Sequence, residues 1–216
     1  MGRSASSFGR SGPRYKAQPI VLVICEDKKS GKNYLEDAAV HFRIKVKVEI
    51  SHCGKTDPKS IVEEGVSQSR KYDFVYCVVD RDTHANFDEA VRIADRSKNV
   101  LLIPSYPCFE YWLLLHFEES RKPFAAKGKK SAGDLVAEAL RGYSEMEQYE
   151  KGGDWSVFNA LVESRFKKAR ERSARIYADA KNCDEMNPST KLHVLMDFFE
   201  ELSNPQPITG TKATSK

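Results

Sequence analysis

The sequence predicts an α/β fold: a mainly parallel β-sheet flanked by helices, with a C-terminal helical region packed on it. Two near-continuous apolar runs, Val21–Cys25 and Phe74–Val79, have the composition of strands covered on both faces. Segments of helical periodicity separate the strand-like runs, which is the pattern of βαβ units. Beyond residue 107 the strand signal stops and helical patterning takes over.

The elements follow in order. Residues 1–17, rich in Ser, Gly and Arg, read as a disordered basic tail. A strand is predicted over 19–25, then a loop through Lys28–Gly31 and a short helix over 33–40, capped by Ser30 or Asn33. Residues 45–50 alternate polar and apolar, the period of a half-buried edge strand. Asp57-Pro58 opens a helix to about Arg70, with Pro at its first position. The central strand 73–79 follows, then a helix over 86–97 with Phe87, Ala90, Val91 and Ala94 on one face. A strand over 100–103 ends at Pro104.

Phe109–Phe117 is a helix apolar almost all round, hence buried. Residues 118–130 form a basic loop, 131–143 an amphipathic helix and 144–154 a polar connection with Gly152-Gly153. A long helix over 155–181 carries the apolar stripe Phe158, Val162, Phe166, Ala169, Ser173, Ile176 and Ala180. Asn187-Pro188-Ser189-Thr190 caps the last helix, whose Leu192, Leu195, Met196 and Phe199 point inward. The chain thus divides into an α/β core over 18–107, a helical region over 108–202 that completes the site, and a flexible tail over 203–216.

Composition narrows the function classes. Arg3, Arg10, Arg14 and Lys16 stand in a stretch without acids, as do Lys212 and Lys216. The net charge of +4 therefore belongs to the two tails, and the body between them is weakly acidic. Global charge is no argument for nucleic-acid binding by the body. There is no apolar run of the roughly 18 residues that a membrane span requires, and no signal-peptide core, so a cytoplasmic protein is expected. The five cysteines show no Cys-x-x-Cys spacing and read as reduced thiols. No P-loop is present, because Ser30-Gly31-Lys32 lacks the Gly-x-x-x-x-Gly-Lys spacing.

The chemistry lies at two strand ends. Val21–Cys25 stops on Glu26, and Phe74–Val79 stops on Asp80-Arg81-Asp82. In an open parallel sheet, ligands bind beyond the carboxyl ends of the strands where the strand order reverses. Right-handed crossovers make these two strands central neighbours, so Glu26, Asp80 and Asp82 meet in one crevice. Hard carboxylate oxygens suit Mg2+ or Mn2+ rather than zinc, and such an ion activates a phosphodiester. The competing reading is that each acid merely caps a strand end in a solvated loop.

The Glu after the first strand and the later Asp-x-Asp resemble the Toprim domain of topoisomerases, primases and overcoming-lysogenization-defect nucleases. More closely, the chain resembles the RloB family, whose members accompany bacterial abortive-infection and restriction loci. The resemblance runs over about 18–202 and rests on Cys25-Glu26-Asp27, Val79-Asp80-Arg81-Asp82, the block Ser105–Phe117 and Asn187-Pro188-Ser189-Thr190. The family usually shows Cys-Glu-Gly and Ser-Asn-Pro where this chain has Cys25-Glu26-Asp27 and Ser105-Tyr106-Pro107. The resemblance implies a Toprim-like sheet, Glu26, Asp80 and Asp82 as metal ligands, and Ser105 and Glu110 completing a second metal position. It also implies an AAA- or ABC-type ATPase partner that restrains or releases the activity.

Other polar groups carry two readings each. Glu110 opens an apolar helix right after a strand and faces the same crevice, whereas His116 reads as either a neutral core histidine or a site residue. Arg165, Lys168, Arg172 and Arg175 form a stripe on the long helix, either a solvated face or a phosphate-backbone surface. Lys28, Lys29 and Lys32 lie beside Glu26 and are placed to steer a phosphate. Lys191 is a candidate for transition-state charge stabilisation.

The leading expectation is a metal-dependent, Toprim-like endonuclease that hydrolyses phosphodiester bonds of RNA, tRNA included, or DNA in antiphage defence. Glu26 either binds the metal or acts as general base. The alternative is a non-catalytic module that binds nucleic acid or the ATPase through the same crevice. The sequence leaves a homo-oligomer open.

Overall fold

A computed structural model describes residues 15–45, 47–81, 84–153 and 155–204. The tails expected at both ends lie almost wholly outside these residues. Five strands, β1 (Val21–Cys25), β2 (Val48–Ser51), β3 (Phe74–Asp80), β4 (Val100–Tyr106) and β5 (Ser189–Thr190), form one sheet in the order β2-β1-β3-β4-β5. The first four are parallel, and β5 runs antiparallel to β4. Among the described residues seven α-helices surround them: α1 (Ser30–His41), α2 (Pro58–Gln68), α3 (Phe87–Asp95), α4 (Glu110–Leu114), α5 (Ala132–Arg141), α6 (Val157–Asn182) and α7 (Leu192–Ser203).

Strand alternation sorts the apolar side chains into two layers. Leu22, Ile24, Val75, Cys77 and Val79 pack on Ile61 and Val62 of α2 and on Phe87, Ala90 and Ala94 of α3. Helix α2 approaches the sheet closely at Gly65, where a Cβ would stand 2.8 Å from Cys77 Sγ. On the opposite face Val21, Val23, Cys25, Tyr76, Val78 and Ile103 join one large core with α1, α4, α5, α6 and α7. Tyr111 and Trp112 are fully buried there, each contributing on the order of 2–3 kcal/mol of hydrophobic stabilisation. The helical region is therefore packed on the sheet through a shared core. Among the described residues no helix is long and apolar enough to cross a membrane.

Three expectations need correction. Helix α1 begins at Ser30, and neither Ser30 nor Asn33 caps it. Asp27 does so instead, accepting from Lys29 N at 3.0 Å and Gly31 N at 2.6 Å. Strand β4 passes through Pro104 to Tyr106. The proline keeps its ladder role because its carbonyl accepts from Lys191 N at 2.9 Å, and its missing N–H faces the side where β5 is only two residues long. Finally, Ser189 and Thr190 are strand: they pair with Tyr106 and Ser105, and α7 starts only at Leu192, so of the expected cap there remains the Thr190 hydroxyl, which accepts from Leu192 N at 3.2 Å.

Candidate functional site

Strands β1 and β3 are neighbours where the chain order reverses, with Cys25 in register with Val78. Glu26 N donates to Val78 O at 2.9 Å, which continues the ladder one residue past β1. The Glu26 side chain then reaches across: its Oε2 accepts from the backbone N–H of Asp80 at 2.8 Å. Its other oxygen, Oε1, lies 3.5 Å from His84 Nε2. The two expected carboxylates are thus brought together at the switch point of the sheet.

Asp80 follows Tyr76 and Val78 on the face covered by α4. The carboxyl is held well above the usual carboxylate range by loss of hydration, then by the nearby charges of Glu110 and Glu26. Glu110 is the first residue of α4, and its side chain is only 1 % exposed. Its Oε1 accepts from Tyr149 OH at 3.2 Å and its Oε2 lies 3.4 Å from Lys151 Nζ. Burial disfavours the charge of Lys151, but the pull of Glu110 prevails and its ammonium titrates above the usual lysine range. The Cys108 thiol beside them is driven up by burial and by Glu110, which leaves it protonated.

Ser105 sits next to Asp80 in register but is fully buried, and its Oγ lies 2.8 Å from Thr190 Oγ1. Neither Ser105 nor Glu110 is thus an uncommitted second ligand pair. Asp82 lies outside the described residues. Among the described residues no group of three or more His, Cys, Asp or Glu side chains is arranged to hold a metal ion.

Other expected site residues are elsewhere or already engaged. Lys191 does not reach the carboxylates: it lines a separate groove with Asp95 and Lys181, because the strand geometry at β5 turns it to the α3 side. Arg165 pairs with Glu145 and lies over the Phe117 ring at 4.6 Å. Arg172 donates to Leu115 O at 2.7 Å, and Arg175 pairs with Glu119 at 2.6 Å. Three members of the basic stripe thus staple α6 to the segment after α4. Near Glu26, Lys32 pairs with Glu36 at 2.5 Å, the stem of Lys29 lies against Gly152, and Lys28 is exposed. His116 is a neutral core histidine: Nδ1 is 3.1 Å from Trp112 O, Nε2 is 3.3 Å from Tyr34 OH, and burial lowers its pKa to about 4.

Sequence reading missed Tyr149, Lys151, Ser30 and His84. The signal for the first two was slight, a Tyr and a Lys just ahead of Gly152-Gly153 in a connection read as polar filler. Gly152 adopts φ +78°, and its N–H donates to Ser30 Oγ at 2.7 Å, which turns the connection back onto α1 and aims Lys151 at Glu110.

No curated protein and no solved structure matches the chain. The family model described as RloB-like protein matches residues 21–199, a span that holds all five strands and both carboxylate strand ends, and the chain belongs to the RloB-like family.

Proposed function

We propose that this protein is a metal-dependent phosphodiesterase, a Toprim-like endonuclease acting on RNA, tRNA included, or DNA as the effector of an antiphage system. The observation that carries this reading is the Glu26–Asp80 pair at the sheet's switch point, with Asp80 set among like charges. The donors of this pair are hard oxygens, the class a divalent cation takes, and a bound cation would relieve their mutual repulsion. Glu26 and Asp80 would hold the ion; Asp82, the third expected ligand, lies outside the described residues. Mg2+ or Mn2+ held there supplies Lewis-acid charge to the scissile phosphate.

The remaining roles fall to side chains of the site. The Asp80 N–H fixes the orientation of the Glu26 carboxylate. His84, 3.5 Å from Glu26, is positioned to exchange a proton with a water held by that carboxylate. Lys151, anchored by Glu110, presents a fixed positive charge where a second cation was expected, and it offsets negative charge building on a phosphate. An ATPase partner and a role in abortive infection follow from the resemblance of the chain to the RloB family.

Calorimetric titration of Mn2+ into the protein and into Asp80→Ala tests the site, together with cleavage of tRNA, mRNA and DNA in Mg2+. Binding and cleavage that both disappear in Asp80→Ala are expected. Absence of metal binding in the unmutated protein overturns the enzyme in favour of a non-catalytic binding module.

A further inference from the structure

A cavity of about 210 Å3 lies beside the carboxylates and shares a wall with them. Ser30 and Tyr149 line it, and the same Tyr149 hydroxyl donates to Glu110. Its volume falls below the roughly 300–1,000 Å3 of sites for drug-sized ligands, so it suits one ring system rather than an extended molecule. Part of its wall is the buried rings of Tyr34 and Phe109. Trp155, which is 44 % exposed, adds an indole open to solvent, the usual partner for a stacked base.

Its polar lining is rich in acceptors. Asp37 accepts one hydrogen bond, from Ser156 Oγ at 2.5 Å, and so keeps lone pairs available. Glu150 also lines the cavity, and the Asn33 side-chain amide has no hydrogen-bond partner among the described residues. Ionised carboxylates accept only, so the matching ligand edge must carry adjacent donors. Of the four bases, guanine alone presents two neighbouring donor groups, N1–H and the 2-amino group, with O6 beside them for an amide N–H. Adenine and cytosine place an acceptor next to their amino group, and uracil sets one donor between two carbonyls.

We propose that this cavity receives one unpaired guanine of the strand whose backbone meets the carboxylates, an inference that rests on the phosphodiesterase reading. The guanine must be unpaired because its Watson–Crick edge is the part that is read. The substrate class is then single-stranded or looped nucleic acid with a guanine next to the scissile phosphate. Stacking on Trp155 and hydrogen bonding to Asp37 set that preference.

Titration calorimetry with guanosine, run beside adenosine, cytidine and uridine, tests the pocket on the full chain. Guanosine is expected to bind at least about tenfold more tightly than the others, and Trp155→Ala and Asp37→Asn each to weaken it by about tenfold. A nucleoside has no phosphate, so Asp80→Asn should leave its binding unchanged. Guanosine binding through Trp155 and Asp37 in a protein that cleaves nothing would therefore uphold the pocket while the enzyme reading fails. No guanosine binding, equal binding of all four nucleosides, or binding indifferent to both pocket variants overturns the proposal.

Discussion

Two charged regions of this molecule contrast sharply in how their charges are compensated. On α6 the arginines are matched locally: Arg165 with Glu145, Arg170 with Asp197 and Glu200, Arg172 with the Leu115 carbonyl, Arg175 with Glu119. At the other site Glu26 and Asp80 at the strand ends and Glu110 at the start of α4 are neighbours, Lys151 is paired with Glu110, and the Asp80 carboxyl bears the consequence. Local pairing marks charges that hold elements together. Like charges brought together in a crevice cost stability and mark a candidate binding place. The more conspicuous basic stripe is thus the structural one, and the sparser acidic pair is the candidate site.

The largest expected effect comes from the crevice. Asp80→Asn should lower cleavage by about 10²–10³-fold or more, as loss of a group that stabilises transition-state charge does. The same change should raise the thermal midpoint measured in chelator. An acid whose folded pKa is raised contributes stability that is present below its unfolded pKa and lost as pH rises through the folded one. The charged form of Asp80 is therefore unfavourable to the fold, and the amide, which cannot ionise, should stabilise it. A fall in the midpoint would break the contrast.

His116 offers an effect from neither region. Its folded pKa of about 4 lies below the ordinary histidine value of 6.5, so it contributes stability that is present above pH 6.5 and lost as pH falls through 4. The loss over that window is roughly 3 kcal/mol. Urea midpoints of the protein and of His116→Gln, followed from pH 7 to pH 4, should converge as the histidine term disappears.

Lys151→Met should leave Glu110 buried without its cation. Breaking a fully buried pair costs several kcal/mol, but Lys151 is 55 % exposed and screened, so about 1–2 kcal/mol is expected. Adding Glu110→Gln should recover most of it, and a double-mutant cycle in denaturant measures that coupling. The smallest effect belongs to α6. Arg175→Ala should leave the denaturant midpoint nearly unchanged and nucleic-acid affinity within about twofold. A tenfold loss of affinity would return the stripe to the binding surface.

The sheet and its carboxylates were legible because their signals are local. An apolar run that ends on an acid is visible in a handful of residues, and the rule for strand order does the rest. The register of Cys25 with Val78 and the Glu26–Asp80 contact follow from it. What could not be read is what one segment does to another. Ser189 and Thr190 look like a helix cap because two residues carry no strand period, yet β4 recruits them as a strand. Lys151 sits in a connection without periodicity, so only the folded chain brings it to Glu110. Asp27, which stands where the family usually has Gly, caps α1 with its carboxylate, a role that only the fold reveals.

Strand β5 has a consequence for how the protein comes into being. Ser105 and Thr190 are 85 residues apart, and their pairing supplies the last strand of a sheet whose other four lie in the first half of the chain. A ribosome releasing the chain from its N-terminus exposes both carboxylate strands long before Lys151 or Thr190 emerges. During that interval β4 is an open edge and the acids lack their counter-charge. Folding to the competent state therefore waits on late, long-range contacts, and residues 18–107 expressed alone should remain an aggregation-prone intermediate although they contain Glu26 and Asp80.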